Sequence, residues 1–104
     1  MKADTLKGHL EVIVLAALRD GPAHGYAVID SLRVRSDGAF DLAEGTVYPV
    51  LHRLEAAGLL ASSWSDAAGR RRRVYRLTRR GRVALATREQ DWRRFADAVE
   101  AVLA

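Results

Sequence analysis

Cysteine is missing from this chain, and so is any long hydrophobic run. Without cysteine among its 104 residues, the chain has neither a disulfide framework nor a thiolate metal site. The most apolar segment, residues 12–18, is far shorter than the roughly 20 residues that span a bilayer. No apolar run near Met1 suits a signal peptide. We therefore expect one small cytoplasmic domain, because a chain of this length is too short for two.

The side-chain combinations that catalysis and metal binding require are absent as well. We find no nucleophile–base pair and no paired carboxylates, so the sequence does not predict an enzyme. The three histidines, His9, His24 and His52, fall in three different predicted helices and have no carboxylate partner at ligand spacing. This distribution argues against a metal site, and no cofactor is expected.

Positive charge, by contrast, is present and clustered. Lysine and arginine number 17 against 13 acidic residues, for a net charge of +4, which permits an anionic partner. Four consecutive arginines occupy positions 70–73, and Arg79, Arg80 and Arg82 follow closely. A solvated charged surface is the ordinary alternative for such a run. Because the run lies on a predicted turn next to a candidate DNA-reading helix, a functional role is favoured over a merely solvated surface.

Apolar spacing predicts two helices in the first third of the chain. The first runs from about residue 6 to residue 20, with Asp4 or Thr5 as its cap and Gly21-Pro22 as its stop. The second spans about 24–35. Its expected inward positions are Tyr26, Ile29 and Leu32. His24 and Tyr26 open this second helix, whose N-terminus could alternatively donate to a phosphate.

Residues 46–55 form the stretch around which the rest of the chain is arranged. Val47, Leu51 and Leu54 recur at helical spacing and make one apolar stripe. The outward positions are Thr46, Tyr48, Pro49, His52 and Arg53. Such a front suits a groove lined with phosphates and base edges, although an ordinary amphipathic surface helix has the same pattern. We expect Thr46 to cap this helix, since Pro49 then falls in the first turn, and Gly58 to end it.

The periodicity changes after Gly58. Residues 59–65 and 71–77 favour strands and flank a turn-rich connection, which predicts a β-hairpin with arginines at its tip. Trp64 is expected to pack in the core. Thr78 then caps a long last helix, in which Leu85, Trp92 and Val99 are seven residues apart, close to a heptad seam. The expected dimer interface comprises Leu85, Trp92, Phe95, Val99 and Leu103.

Three helices followed by a hairpin predict a winged helix-turn-helix, an α+β fold that is mainly α, with residues 1–78 as the DNA-binding domain and 79–104 as a dimerisation helix. Such a domain places its third helix in the major groove and its hairpin tip along the backbone. The expected DNA contacts are Thr46, Tyr48, Pro49, His52, Arg53, Arg70, Arg71, Arg72 and Arg73.

The sequence resembles the PadR family of transcriptional regulators from residue 6 to about residue 103. The resemblance rests on residues 6–10, 21–26, 44–55, 58–60 and 69–78 and on Gly81, which include the motifs Gly-Thr-x-Tyr-Pro and Tyr-Arg-Leu-Thr. A single helix after the hairpin matches the short subfamily. In this order and spacing the motifs are highly specific.

The resemblance implies a homodimeric regulator of double-stranded DNA, usually a repressor, that dimerises through its last helix. Short members bind flat aromatic compounds beside a tryptophan of that helix, and Trp92 stands at the matching place. We expect a flat, apolar effector that can carry a positive charge, with Glu89 and Asp91 nearby. The competing hypothesis is a protein-interaction module with a vestigial winged helix, which would show no salt-dependent binding to duplex DNA.

Overall fold

Helices and a small antiparallel sheet alternate along residues 9–104, which are the part of the chain that the computed structural model describes. The elements in order are α1 (Leu10–Ala17), β1 (Ala23–His24), α2 (Gly25–Arg35), α3 (Glu44–Ala56), β2 (Leu60–Ser65), β3 (Arg72–Leu77) and α4 (Arg79–Leu103). A short 3-10 turn, Ala67–Gly69, joins β2 to β3. The predicted winged helix with a long C-terminal helix is confirmed.

The N-terminal helices follow the predicted order. The expected cap at Asp4 or Thr5 and the first turn of the first helix lie outside the described residues. For α2, His24 is the capping residue, and its Nδ1 accepts a hydrogen bond from the Ala27 N–H at 3.3 Å. The chain leaves α2 through Asp37 and Gly38, which take positive φ angles of 53° and 85°.

The predicted start of α3 is wrong. The helix begins at Glu44, two residues before Thr46, and the carbonyl of Ala43 accepts from the N–H groups of Thr46 and Val47. Pro49 therefore lies inside the helix, where its missing N–H leaves one helical bond unmade. The early start suits the acidic side chain of Glu44, which is favoured in the first helical turn. Burial of the apolar face of α3 outweighs the proline's poor helix propensity.

The sheet has the strand order β1-β3-β2, and both pairs are antiparallel. The predicted hairpin is present, with Leu60 opposite Leu77 at its base and Ser65 opposite Arg72 near its tip. β1 was not predicted, because a two-residue strand carries no periodic pattern. It pairs His24 with Val74, and so holds the start of α2 against the hairpin.

One hydrophobic core joins all these elements. The buried side chains are Val14, Leu15, Leu18, Val28, Leu32, Leu42, Val47, Val50, Leu51, Leu54, Leu59, Leu60, Tyr75, Leu77 and Leu85. The start of α4 belongs to this core, because a Cβ on Gly81 would overlap the Leu59 carbonyl group. Thr78 caps α4 as predicted: its Oγ1 accepts from the Gly81 N–H at 3.0 Å and donates to the Gly58 carbonyl at 2.7 Å.

Two aromatic residues expected in the core are instead exposed. Tyr26 is 63% exposed, because Val28 and Leu32 form the inward face of α2 and Tyr26 lies about 200° away from Val28 around the helix. Trp64 is 56% exposed, because the outer half of the hairpin extends beyond the helices that its base covers. In residues 9–104, no helix has the length and apolar character to cross a membrane.

Candidate nucleic-acid interface

The predicted front of α3 faces away from the core. The apolar stripe is buried and also includes Val50. On the opposite side, Pro49, His52 and Arg53 are exposed, and Thr46 and Tyr48 are half-buried. Arg53 has no ion-pair partner among the described residues, so its guanidinium is free to contact a nucleic acid.

Tyr48 links α3 to the first turn of α2. Its ring lies on Gly25, where an added Cβ would approach the ring Cζ to 2.4 Å. Burial, and then the nearby Glu44 and Tyr26, raise the pKa of the Tyr48 hydroxyl. The hydroxyl consequently keeps its proton at neutral pH, where it can donate to a phosphate or to a base acceptor. Tyr48 can therefore take this position only because residue 25 is a glycine. The sequence motif that contains Gly25 does not reveal this requirement.

The ring of His24 lies between two hydrogen-bond donors. Its Nδ1 faces the Ala27 N–H at 3.3 Å, and its Nε2 lies 2.9 Å from Nη1 of Arg72. Because a guanidinium only donates and a neutral imidazole has only one accepting nitrogen, the ring cannot satisfy both. Burial, and then the charge of Arg72, lower the pKa of His24. The uncharged ring therefore leaves one donor without an acceptor, and an anion would supply that acceptor.

These groups line one open recess of about 580 Å³ between the hairpin tip, α2 and α3. Its lining residues are His24, Gly25, Tyr26, Tyr48, Arg70, Arg71, Arg72 and Arg73. Among these described residues there is no acidic side chain. Such a concave cationic surface suits the phosphates of a nucleic acid, which bind mainly through placed positive charge. We call this surface the cationic recess.

The four arginines of the hairpin tip have different surroundings. Arg70 is exposed and has no partner among the described residues. The Arg71 guanidinium lies 4.6 Å from the centre of the Trp64 ring. Arg72 contacts His24, as described above. Arg73 is held within the protein by contacts that sequence spacing could not show, because its partners lie in β2 and α3.

A second surface lies on the exposed side of α4 and shares no lining residue with the cationic recess. Trp92 is 49% exposed, meets the His9 ring edge-on at 5.5 Å, and lies 6.1 Å from the Phe95 ring. A groove of about 630 Å³ runs between α1 and α4, with these two aromatic residues on one wall and Val12 and Ile13 on the other.

The groove continues along α4 as an exposed apolar stripe. Beyond Phe95, the exposed apolar side chains are Val99, Val102 and Leu103. Leu85, which was expected in the same interface, is only 4% exposed because the first turns of α4 pack into the protein's own core. We call the residues Trp92, Phe95, Val99, Val102 and Leu103 the α4 stripe.

The two acidic residues expected near Trp92 differ in their contacts. Glu89 forms ion pairs with Arg19 at 2.5 Å and with Arg93 at 2.8 Å. The hydrogen bond from Arg93, followed by the charge of Arg19, lowers the pKa of Glu89. Asp91 lines a smaller recess of about 290 Å³ beside Trp92 and has no ion-pair partner among the described residues. Asp91 is therefore the carboxylate that remains available to a cation.

A three-helix core with a cationic hairpin beside an exposed third helix defines a winged helix-turn-helix DNA-binding protein. The sequence model of the family described as "Transcriptional regulator PadR-like family" matches residues 14–87. The chain belongs to this family. Its relatives are transcriptional regulators and not enzymes, and this chain is accordingly a DNA-binding transcriptional regulator.

Solved structures agree with this membership over nearly the whole chain. A PadR family transcription regulator from Clostridium difficile is 30% identical with a TM-score of 0.81, and the match covers 93% of this chain and 100% of that one. A PadR family regulator from Eggerthella lenta is 37% identical with a TM-score of 0.81, and 96% of this chain and 86% of that one are covered.

A curated relative, a transcriptional regulator of Mycobacterium tuberculosis, is 44% identical over 72 residues. This match covers 69% of the present chain and 64% of the relative. The chain thus spans somewhat less than two thirds of that regulator's length.

Proposed function

We propose that this protein is a cytoplasmic homodimeric repressor that binds a palindromic operator through the cationic recess and the front of α3. The observation that carries the proposal is the convergence of three elements on one recess. The start of α2, the N-terminal half of α3 and the hairpin tip all present donors or positive charge to it, and within residues 9–104 no acidic side chain lines it.

The contacts divide between sequence reading and phosphate binding. Thr46, Pro49, His52 and Arg53 are proposed to lie in the major groove, where an arginine can pair with a guanine through two hydrogen bonds. Tyr48 lies at the border and donates its hydroxyl to a base or a phosphate. The proposed phosphate contacts of the hairpin are Arg70, Arg71 and Arg72. These positions supply affinity without sequence choice.

Dimerisation is proposed to occur through the α4 stripe. Five exposed apolar side chains lie within about 100° of one face of α4, and a contiguous apolar surface of this kind marks an interaction site. A two-fold dimer would place two copies of α3 about one DNA turn apart, ~34 Å, to match a palindromic operator. Residues 1–78 are then the DNA-binding unit and 79–104 the dimerisation unit, a division by role rather than by core.

The groove beside Trp92 is proposed to hold a flat, apolar effector that releases the repressor from DNA. Trp92 and Phe95 offer aromatic faces, with stacking worth ~0.5–1.5 kcal/mol per ring pair beyond burial. Asp91 lines the smaller recess next to the groove and can accept a positive charge there, whereas Glu89 in the groove is already neutralised by two arginines. A ligand wedged there would alter the angle of α4 in the dimer and, with it, the separation of the two α3 helices.

Titration of DNA from the protein's own promoter at two or more salt concentrations tests the DNA-binding surface. We expect log K to fall with log salt by about 0.9 per phosphate contacted. Replacing Arg71 and Arg72 with Ala should therefore reduce the slope by about 1.8 and weaken binding to all DNA alike.

Arg94→Ala is the control, because it removes a positive charge from the face of α4 opposite the stripe. It should leave the slope unchanged. A wild-type protein whose DNA binding does not depend on salt would support the competing protein-interaction module instead.

A further inference from the structure

The outer half of the hairpin is joined to the end of α3 by a chain of three polar side chains. Nε of Arg73 donates to Oγ of Ser62 at 2.8 Å, and Oγ of Ser62 donates to Oε2 of Glu55 at 2.5 Å. Nη2 of Arg73 also lies 3.7 Å from the same Glu55 oxygen. The serine hydroxyl thus accepts once and donates once, and it relays the contact from Arg73 to Glu55.

Trp64 adds a second support beside this chain. Its register partner on β3 is Arg73, whose guanidinium lies 5.4 Å from the centre of the indole ring. Arg71 lies two residues away along the chain and 4.6 Å from the same ring. A guanidinium within about 6 Å of a tryptophan face is attracted to it. The exposed Trp64 therefore orients two arginines while remaining outside the core.

We infer that Arg73 is a positioning residue that fixes the hairpin against the C-terminal end of α3 through Ser62 and Glu55, while Arg71 is the phosphate contact that Trp64 presents. This inference rests on the proposed DNA-binding surface and divides its arginines into two roles. It follows that the distance between the groove-reading helix and the phosphate-binding tip depends on a carboxylate that touches no DNA.

Simple electrostatics and the positioning role predict opposite effects at Glu55. If Glu55 only repelled the DNA phosphates, its removal would tighten binding. If Glu55 anchors the hairpin, Glu55→Ala should weaken operator binding by about two- to fivefold, the range expected from losing a partly exposed ion pair. Ser62→Ala, which changes no charge, should act in the same direction. Asp66→Ala is the matched control: it removes an exposed carboxylate at the hairpin tip and should tighten binding.

Lysine substitutions separate the two arginine roles. Lysine still binds phosphate as a point charge but lacks the planar fork of arginine. Arg71→Lys should therefore keep most of the operator affinity, whereas Arg73→Lys should weaken it about as much as Arg73→Ala. In the Glu55→Ala background, Arg73→Ala should cause no further loss. An Arg73→Lys variant with wild-type affinity, or a Glu55→Ala variant that binds more tightly, would overturn the inference.

The mobility of the hairpin provides a readout that does not require DNA. In a Trp92→Phe background, the fluorescence anisotropy of Trp64 should fall when Glu55, Ser62 or Arg73 is replaced with Ala, and it should stay constant for Asp66→Ala. Constant anisotropy in all four variants would contradict the inference. If the wild-type protein bound no DNA, the proposed function would fail, and the anisotropy would still decide whether Glu55 holds the hairpin.

Discussion

The cationic recess and the α4 stripe differ in how far a single chain completes them. In the recess, contacts within one chain fix the position of the functional groups: Tyr48 is seated by Gly25, and His24 lies between Arg72 and the start of α2. In the α4 stripe, large apolar side chains such as Phe95 and Val102 remain exposed. One chain therefore shapes the proposed DNA-binding surface, whereas in the proposed dimer the spacing between two such surfaces depends on a second copy.

A charge introduced into the α4 stripe should have the largest effect, because it should prevent dimerisation while leaving the recess intact. Val99→Asp would place a carboxylate in the proposed seam, where burial without a partner is costly. We expect monomers in sedimentation experiments and loss of the preference for the operator over other DNA, while the thermal midpoint of each folded monomer changes little. Weak, salt-dependent binding to any DNA should persist, because the recess is unaltered.

The control for this substitution is Ala101→Asp, which places the same charge on the opposite face of α4. It should remain dimeric and bind the operator. A wild-type protein that sediments as a monomer at micromolar concentration would contradict the division itself.

Ligand binding at the α4 stripe should change the affinity of the cationic recess for the operator. Titration with planar cationic dyes should quench Trp92 saturably and weaken operator binding in parallel, with Trp64→Phe used to isolate the signal. Coupling between two such sites typically changes affinity about 5- to 150-fold. Asp91→Asn should weaken the binding of cationic dyes but not that of neutral dyes. Glu89→Gln should produce a smaller difference between the two kinds of dye.

Two other outcomes of the dye titration would give the groove a smaller role. Saturable quenching with unchanged DNA affinity would mean that the site binds without signalling. No quenching would leave Trp92 as a seam residue alone.

Protonation of His24 should alter the recess without touching the stripe, and its effect should be the smallest. The pKa of His24 is lowered in the free protein, and a bound phosphate would raise it, because a nearby negative charge favours the protonated ring. Binding then takes up a proton, so operator affinity should rise as the pH falls from 8 towards 5.5, by less than about tenfold if the pKa changes by less than one.

Thermal stability should respond to pH in the opposite sense. Because the folded protein has a lower His24 pKa than the unfolded chain, this histidine's contribution is present above pH 6.5 and is lost as the pH falls through the folded value. His24→Gln should remove both trends, and the exposed His52→Gln serves as the control. An operator affinity independent of pH in the wild type would contradict the role of His24.

The elements with long periodic patterns were predictable, and the contacts that join them were not. The stripe of α3, the hairpin and the Thr78 cap follow from apolar spacing and capping chemistry, which act within a few residues. The start of α3 was misplaced because tertiary packing overrides the local penalty of Pro49.

The recess shows the same limit. Its arginines are visible as a run, and α3 as a helix with a polar front. The pairing of His24 with Arg72 across 48 residues depends on β1, a strand too short to recognise, and the contact of Tyr48 with Gly25 depends on how α3 packs against α2. Likewise, the exposure of Tyr26 and Trp64 follows from where the neighbouring elements end, which no single segment specifies.

Because α4 runs from the core to the exposed stripe, it acts as a lever. Leu85 is buried in the body of the protein, and Leu103 lies exposed near the far end of the same 25-residue helix. The helix is thus a rigid lever with its pivot at Leu85 and an arm of about 27 Å, so that a tilt of about 5° displaces its far end by about 2.4 Å. A small rotation where α4 leaves the core is therefore converted into a larger displacement at the end of the α4 stripe.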